Sequence, residues 1–318
     1  MRGRPVRAVR PSGEGVAVVD VPEPDAGGGS LVNVRSASIC GSDLHMLELQ
    51  FFSGTFGHEF AGALDDGTPV AIEPSVPCGA CDQCLSGASH LCRTGADRFP
   101  GVAVDGGMAE RIRVPAASLV PLPAGLTVAN ACLVEPLAVA MHGLRVAGVA
   151  GDEAIAVVGA GGIGLFAAAA AVASGSDVAV EARHDMQRAA AERLGASVTP
   201  DGEYDIVIEA AGTESALARA VELCRPGGVV LFLSTHWVPI TLPGIPSAMK
   251  ELRYQWSYTY GTHGGGRDVD AAAMLLARNP EIAATLVTHR FPLEDAPEAF
   301  RVAGDRAHGA IKVVIDIE

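Results

Sequence analysis

From Ala154 to Ala173 the chain runs for 20 residues without a charged side chain, long enough to pass for a membrane span on hydropathy alone. Its internal order argues otherwise. Ala154-Ile155-Ala156-Val157-Val158 is an apolar run bounded by turn formers, the pattern of a strand buried on both faces. Glycines follow at 159, 161, 162 and 164, and small apolar residues then continue from Leu165 to Ala173 as a packed helix. The stretch reads as strand, glycine turn and helix, and no membrane association is expected. Apolar runs at Asp177 to Glu181, Asp205 to Ala210 and Gly228 to Ser234 predict further strands, and strand–helix alternation from about Ala138 to Tyr260 predicts a parallel, doubly wound α/β sheet. The chain before it is strand-rich, and a short mixed tail follows it. Ala26-Gly27-Gly28-Gly29-Ser30 reads as a flexible surface turn, and Thr262-His263-Gly264-Gly265-Gly266 as the loop by which the chain returns.

A length of 318 residues suits two domains. Acidic residues outnumber basic ones, 37 to 23, for a net charge of −14; a nucleic-acid binder needs clustered cations, so nucleic acid is not an expected partner. The opening MRGRPVRAVRPSGEGVAVVD is basic but has no apolar run behind it, so it does not read as a secretory signal, and a cytoplasmic location is expected.

Seven cysteines in such a chain argue metal binding before disulfides. Cys78, Cys81, Cys84 and Cys92 form C-x2-C-x2-C-x7-C among prolines and glycines, where four thiolates can converge on a tetrahedral zinc at about 2.3 Å. Earlier come Cys40-Gly41-Ser42-Asp43-Leu44-His45 and Gly57-His58-Glu59. Thiolate, imidazole and carboxylate from separate segments are the donors of a zinc site that keeps a position open. In Leu133-Val134-Glu135-Pro136-Leu137 an acid stands among apolar residues, where it needs a cation, and Glu135 is read as a ligand or near neighbour of the metal. Gly159-Ala160-Gly161-Gly162-Ile163-Gly164 is a G-x-G-x-x-G between strand and helix, the setting in which the motif holds a dinucleotide pyrophosphate.

In this order the pieces resemble the zinc-dependent medium-chain dehydrogenase/reductase family along almost the whole chain. The resemblance implies a Rossmann domain over 138–262 and a discontinuous, β-rich GroES-like catalytic domain from 1–137, with its zinc lobe at 78–92, and 263–318. It implies two zinc ions per chain. The structural one is held by the four lobe cysteines and the catalytic one by Cys40, His58 and Glu59, with Glu135 either ligating or holding the zinc water; the choice between Glu59 and Glu135 stays open. Glu135 resembles the polyol and threonine branch, which implies a secondary alcohol or ketone on a polar molecule such as a polyol, cyclitol, sugar or amino sugar. Ser42 and His45 resemble a proton relay, with Ser42 also readable as a helix cap, and Asp43 is expected to orient His58. The chain is shorter than most relatives between His45 and His58 and around Leu64 to Val70, which implies a different substrate mouth.

At the end of the second strand, Glu181 is one candidate for the NAD ribose. Counted back from Leu194-Gly195-Ala196, the family's acidic position falls instead on Ala182, followed by Arg183 and His184, so NADP(H) is the reading and NAD(H) the alternative. Lys312 resembles a basic residue that reaches the cofactor pyrophosphate; a solvated edge-strand lysine is the other reading. Many relatives are homodimers or homotetramers. A redox-sensing nucleotide-binding protein is the non-enzyme alternative. Cys132 and Cys224 read as buried apolar residues, His90 as surface packing, His142 and His289 as core histidines, and Phe51, Phe52, Trp256, Tyr258 and Tyr260 as candidate pocket walls.

Overall fold

The computed structural model describes residues 4–25, 27–305 and 309–318; Ala26, the first residue of the expected glycine turn, lies outside them. The chain divides into two compact units, one built from Met1–Glu135, Gly261–Ala283 and Val287–Glu318, the other from Pro136–Tyr260 and Ala284–Leu286. Among the described residues no helix is long and apolar enough to cross a membrane.

The first unit opens with an antiparallel hairpin of β1 (Val6–Ser12) and β2 (Gly15–Val21). Next come β3 (Ser30–Ser38), α1 (Gly41–Glu48), β4 (Glu59–Ala63) and β5 (Pro69–Ile72). The short α2 (Asp82–Leu85) belongs to the cysteine lobe, and β6 (Arg111–Val114) and β7 (Leu119–Pro121) return to the sheet. Helix α3 (Val134–Ala147) starts at the end of this segment.

In the second unit β8 (Ala154–Val158) leads through the glycine turn into α4 (Gly162–Ser174). After it come β9 (Asp177–Glu181), α5 (Asp185–Arg193), β10 (Ser197–Val198), β11 (Tyr204–Glu209), α6 (Glu214–Leu223), β12 (Cys224–Phe232), α7 (Gly244–Met249) and β13 (Arg253–Trp256). The strands form one parallel sheet in the order β10-β9-β8-β11-β12-β13. Strand β8 lies in its interior and packs on α4 and α6, which is why its apolar run does not alternate. Leu165 to Ala171 of α4 are all buried, so the charge-free stretch is a core helix, closed by Gly175 in the left-handed region (φ 102).

The chain then rejoins the first unit. The expected return loop is a tight hairpin of β14 (Thr262–His263) and β15 (Gly266–Arg267), turned by Gly264 and Gly265 at φ 57 and 84. Beyond it lie α8 (Asp268–Arg278), α9 (Pro280–Leu286), β16 (Val287–Pro292), α10 (Ala296–Gly304) and β17 (Lys312–Asp316). The sheet runs β16-β17-β3-β4-β5-β7, with β6 also on β3. Its register sets Val314 opposite Ser38 and Ser38 opposite Glu59. The end of β3, the start of β4 and the start of β17, all interior strands, thus meet at one end of the sheet.

Candidate metal centres and dinucleotide turn

That end of the sheet gathers the donor set. Cys40 follows β3, His58 and Glu59 open β4, and one ligand atom from each lies within 4.8 Å of the others. Cys40 is the N-cap of α1; its N–H donates to Asp43 Oδ2 at 2.9 Å, which fixes the thiol against the first turn. Ser42 is therefore inside the helix and does not cap it, because the chain turns helical one residue before it. Asp43, wholly buried, turns Oδ1 toward His58 Nδ1 at 3.5 Å. Ser42 and His45 sit three residues apart on α1, and His45 Nδ1 lies 3.6 Å from Glu48 in a partly exposed position.

Glu59 is buried and already partnered: Ser38 Oγ donates to one oxygen, and Lys312 Nζ lies 2.7 Å from the other. Lys312 also donates to Ile39 O at 3.2 Å. The edge-strand reading of Lys312 is corrected here, because β17 lies between β16 and β3 and the side chain is only 5% exposed. Ser38 carries no local motif, and its place at the site follows from the β3–β4 pairing alone. Glu135, at the start of α3, is buried but stands outside the trio of converging ligand atoms.

The electrostatics suit a bound cation. Burial alone would depress His58, yet the negative charges of Asp43 and Cys40 hold its pKa well above the ordinary imidazole value. Burial pushes the Glu135 carboxyl up to about 8, with Glu59 adding to the rise and His58 and Lys312 opposing it. A soft thiolate, an imidazole and a carboxylate in a buried, net-negative nook fit zinc by donor chemistry.

In the lobe, one sulfur each from Cys78, Cys81, Cys84 and Cys92 lies within 4.8 Å of the others. Sγ atoms of Cys81 and Cys84 are 3.5 Å apart, and the Cys78 N–H donates to Cys92 Sγ at 3.1 Å. Backbone N–H groups of Cys78 and Thr94 lower the Cys92 thiol to about 6, toward the thiolate that a metal requires. These four donors make a closed set. His90, half-buried, is not in it.

The glycine turn fits a pyrophosphate. Gly159 takes φ 111, and a Cβ there would lie 2.9 Å from the Ala210 carbonyl carbon. A Cβ on Gly164 would lie 1.9 Å from Gly159 O, so only glycine lets α4 close on β8. A Cβ on Gly161, the N-cap of α4, would meet nothing within 4 Å. Helix α4 begins at Gly162-Ile163, next to this open ground, and the first N–H groups of a helix have no partner within it. At the end of β9, Glu181 accepts from Arg219 Nε at 2.7 Å. Ala182 is half-buried, Arg183 and His184 are exposed, and His184 is the N-cap of α5.

Of the remaining candidates, Cys132 and Cys224 are fully buried and His142 nearly so, whereas His289 is half-buried on β16. Phe52 and Tyr260 are core residues, 8% and 1% exposed, while Phe51, Trp256 and Tyr258 are more than half exposed.

Comparison with known proteins gives a consistent picture. The family model for the alcohol dehydrogenase GroES-like domain matches residues 27–124, and that for the zinc-binding dehydrogenase matches residues 162–278. L-galactonate-5-dehydrogenase of Escherichia coli K12 is 31% identical over 85% of this chain and 86% of its own length. L-threonine 3-dehydrogenase of Bacillus subtilis 168 is 30% identical over 91% and 92%. The crystal structure of a zinc-binding dehydrogenase of Sinorhizobium meliloti 1021 bound to NADP superposes with a TM-score of 0.87 at 28% identity, covering 99% of this chain and 100% of that one.

Proposed function

We propose a reaction for a chain that belongs to the zinc-dependent medium-chain dehydrogenase/reductase family: hydride transfer between NADP(H) and a secondary alcohol or ketone of a polar, multiply hydroxylated substrate. The converging trio Cys40, His58 and Glu59 carries this reading, with Glu59 as the third catalytic-zinc ligand and Glu135 beside it. The four lobe cysteines hold a second, structural zinc. When bound, zinc supplies a Lewis acid toward the substrate oxygen, and the nicotinamide supplies the hydride acceptor or donor.

The protein's own part is positioning and proton management. Asp43 sets a negative charge 3.5 Å from the Nδ1 of His58, and Lys312 with Ser38 balances and aims the Glu59 carboxylate. Ser42 and His45 pass the alcohol proton along α1 toward solvent, where His45 is 43% exposed.

The preference for NADP(H) rests on Ala182 at the family's acidic position followed by Arg183 and His184, which stand exposed where a 2′-phosphate needs cations, while one oxygen of Glu181 is paired with Arg219. The relative bound to NADP supports it. Aldonates and pentitols are the first substrates to try, since relatives are named for L-galactonate, L-arabinitol and D-xylulose. Fluorescence titration with NADPH and NADH is the test. At least tenfold tighter NADPH, about 1.4 kcal/mol, is expected; tighter NADH would return the ribose to Glu181 and make the enzyme an NAD-dependent polyol or threonine-type dehydrogenase.

We also propose self-association. Strand β13 is an edge of the parallel sheet, and Ile245, Met249, Trp256 and Tyr258 nearby in sequence are 53% to 81% exposed.

A further inference from the structure

Metal binding at the trio depends on where the backbone delivers His58, and no helix or strand delivers it. Between α1 and β4 the chain from Phe51 to His58 has neither, yet Thr55, Phe56, Gly57 and His58 are all buried. A closed ring of backbone hydrogen bonds holds this segment instead. The Phe56 N–H donates to Val9 O at 3.0 Å, the Val9 N–H to Met108 O at 2.8 Å, and the Met108 N–H back to Phe56 O at 2.8 Å. On either side of the ring, the Gly106 N–H donates to Thr55 O and the Gly107 N–H to Gly57 O, both at 2.8 Å.

The loop from Phe99 to Met108 therefore sets the approach to His58. Its Gly101 lies so close that a Cβ there would stand 2.5 Å from the Gly57 carbonyl carbon and 2.9 Å from His58 N. The Phe99 ring faces the imidazole edge-on, with centroids 6.3 Å apart at 62°. A shift of this loop is thus passed directly to a metal ligand, because packed backbone has no slack to absorb it.

Side chains tie the same three segments a second time. The backbone ring leaves out the Thr55 N–H, and Asp105 Oδ1 accepts it at 2.7 Å. Arg10 Nη2 donates to the two Asp105 oxygens at 3.0 and 2.9 Å, and Arg10 Nε donates to Thr55 Oγ1 at 3.2 Å. Thr55 is 2% exposed whereas the Asp105 side chain is 59% exposed, so the carboxylate reaches in from solvent to a buried backbone donor. An exposed ion pair adds little to global stability. A charge-assisted bond to a buried N–H, by contrast, resists local opening of the segment that carries it. We propose that Asp105 is a positioning residue for the catalytic metal: with Arg10 it latches the loop onto Thr55 and so keeps His58 in register with Cys40 and Glu59.

This role rests on the reading of the trio as a zinc site, and the test separates the two. Full-length, zinc-loaded wild type, Asp105→Ala, Asp105→Asn and Cys40→Ser are mixed with a chromophoric chelator, and zinc release is followed in time. The phase that Cys40→Ser lacks belongs to the trio, and the phase it keeps belongs to the four-cysteine lobe. Asp105→Ala is expected to release the trio zinc at least about tenfold faster than wild type, with the lobe phase unchanged. Asp105→Asn, whose amide oxygen can still accept the Thr55 N–H but whose charge toward Arg10 is gone, is expected to fall between the two. A merely structural contribution would speed both phases or neither. An unchanged trio phase in both variants, or equal acceleration of both phases, overturns the role of Asp105; if the alanine variant does not fold, Asp105→Asn decides by the same two criteria. Wild type that releases no more zinc than Cys40→Ser overturns the trio as a metal site, and the role of Asp105 with it.

Discussion

Cys40 carries two duties at once, since it ends the run from β3 into α1 as the helix N-cap and points its thiol at the trio. Replacing it by serine keeps a cap of better propensity, so the helix is expected to persist while the soft donor disappears. Asp43→Asn is the subtler change: the Cys40 N–H can still be satisfied by the amide oxygen, but the charge facing His58 is gone. We expect tenfold to a hundredfold weaker zinc affinity at the catalytic site, by analogy with the general size of such outer contacts, read by competition with a chromophoric chelator. An unchanged affinity would remove Asp43 from the account. Lys312 shows why one half of this site was hard to read. Cys40, His58 and Glu59 stand in short local patterns, whereas Lys312 and Ser38 reach Glu59 only because β17, from the far end of the chain, pairs with β3. No local signal encodes that meeting.

Among elements, the strand–turn–helix around the glycines was the most legible, because a central parallel strand must be apolar on both faces and the turn demands glycine at 159 and 164. Strand β12 was less so. It begins at Cys224, four residues ahead of the expected Gly228, where Arg225-Pro226-Gly227 reads as a turn, and the β11–β12 register shifts between Tyr204 and Ile206 to admit it. The glycines allow a paired prediction. Gly164→Ala should destabilise the second unit by about 3 kcal/mol, since backbone must move; Gly161→Ala, at φ −75 with open space beyond, should leave the unfolding midpoint unchanged and weaken dinucleotide binding. Equal loss of stability in both would contradict the open cradle. Asp205 ties β11 to β8 by accepting the Ala154 N–H at 2.9 Å and to β12 by accepting from Arg225 Nε at 2.6 Å. The Arg225 bond and the Ala154 N–H hold its pKa below the ordinary carboxylate value. A depressed folded pKa adds stability above the unfolded value of about 4 that fades as pH falls through the folded one. Asp205→Asn should therefore lower the urea midpoint at pH 7 and leave a smaller gap to wild type near pH 3; a constant gap would show that the charge is not involved.

For the whole molecule, a net charge of −14 sets the solution behaviour. It makes a self-associating face depend on apolar area. Sedimentation at micromolar concentration should give at least twice the 32.5 kDa chain mass, and Ile245→Lys with Met249→Lys should return the monomer; an unmodified chain that sediments as a monomer would dismiss the assembly. The discontinuous first unit also joins the lobe, the trio and the C-terminal strand into one body, so metal and fold are expected to be coupled there.

The central claim is that Cys40 belongs to a zinc site separate from the four-cysteine lobe and needed for hydride transfer. Counting zinc per chain in wild type and Cys40→Ser, on samples also assayed for NADP-linked alcohol oxidation, tests it most directly. Two zinc ions in wild type, one in the variant and no turnover with one are predicted. Two zinc ions retained in the variant, together with activity, would contradict the account.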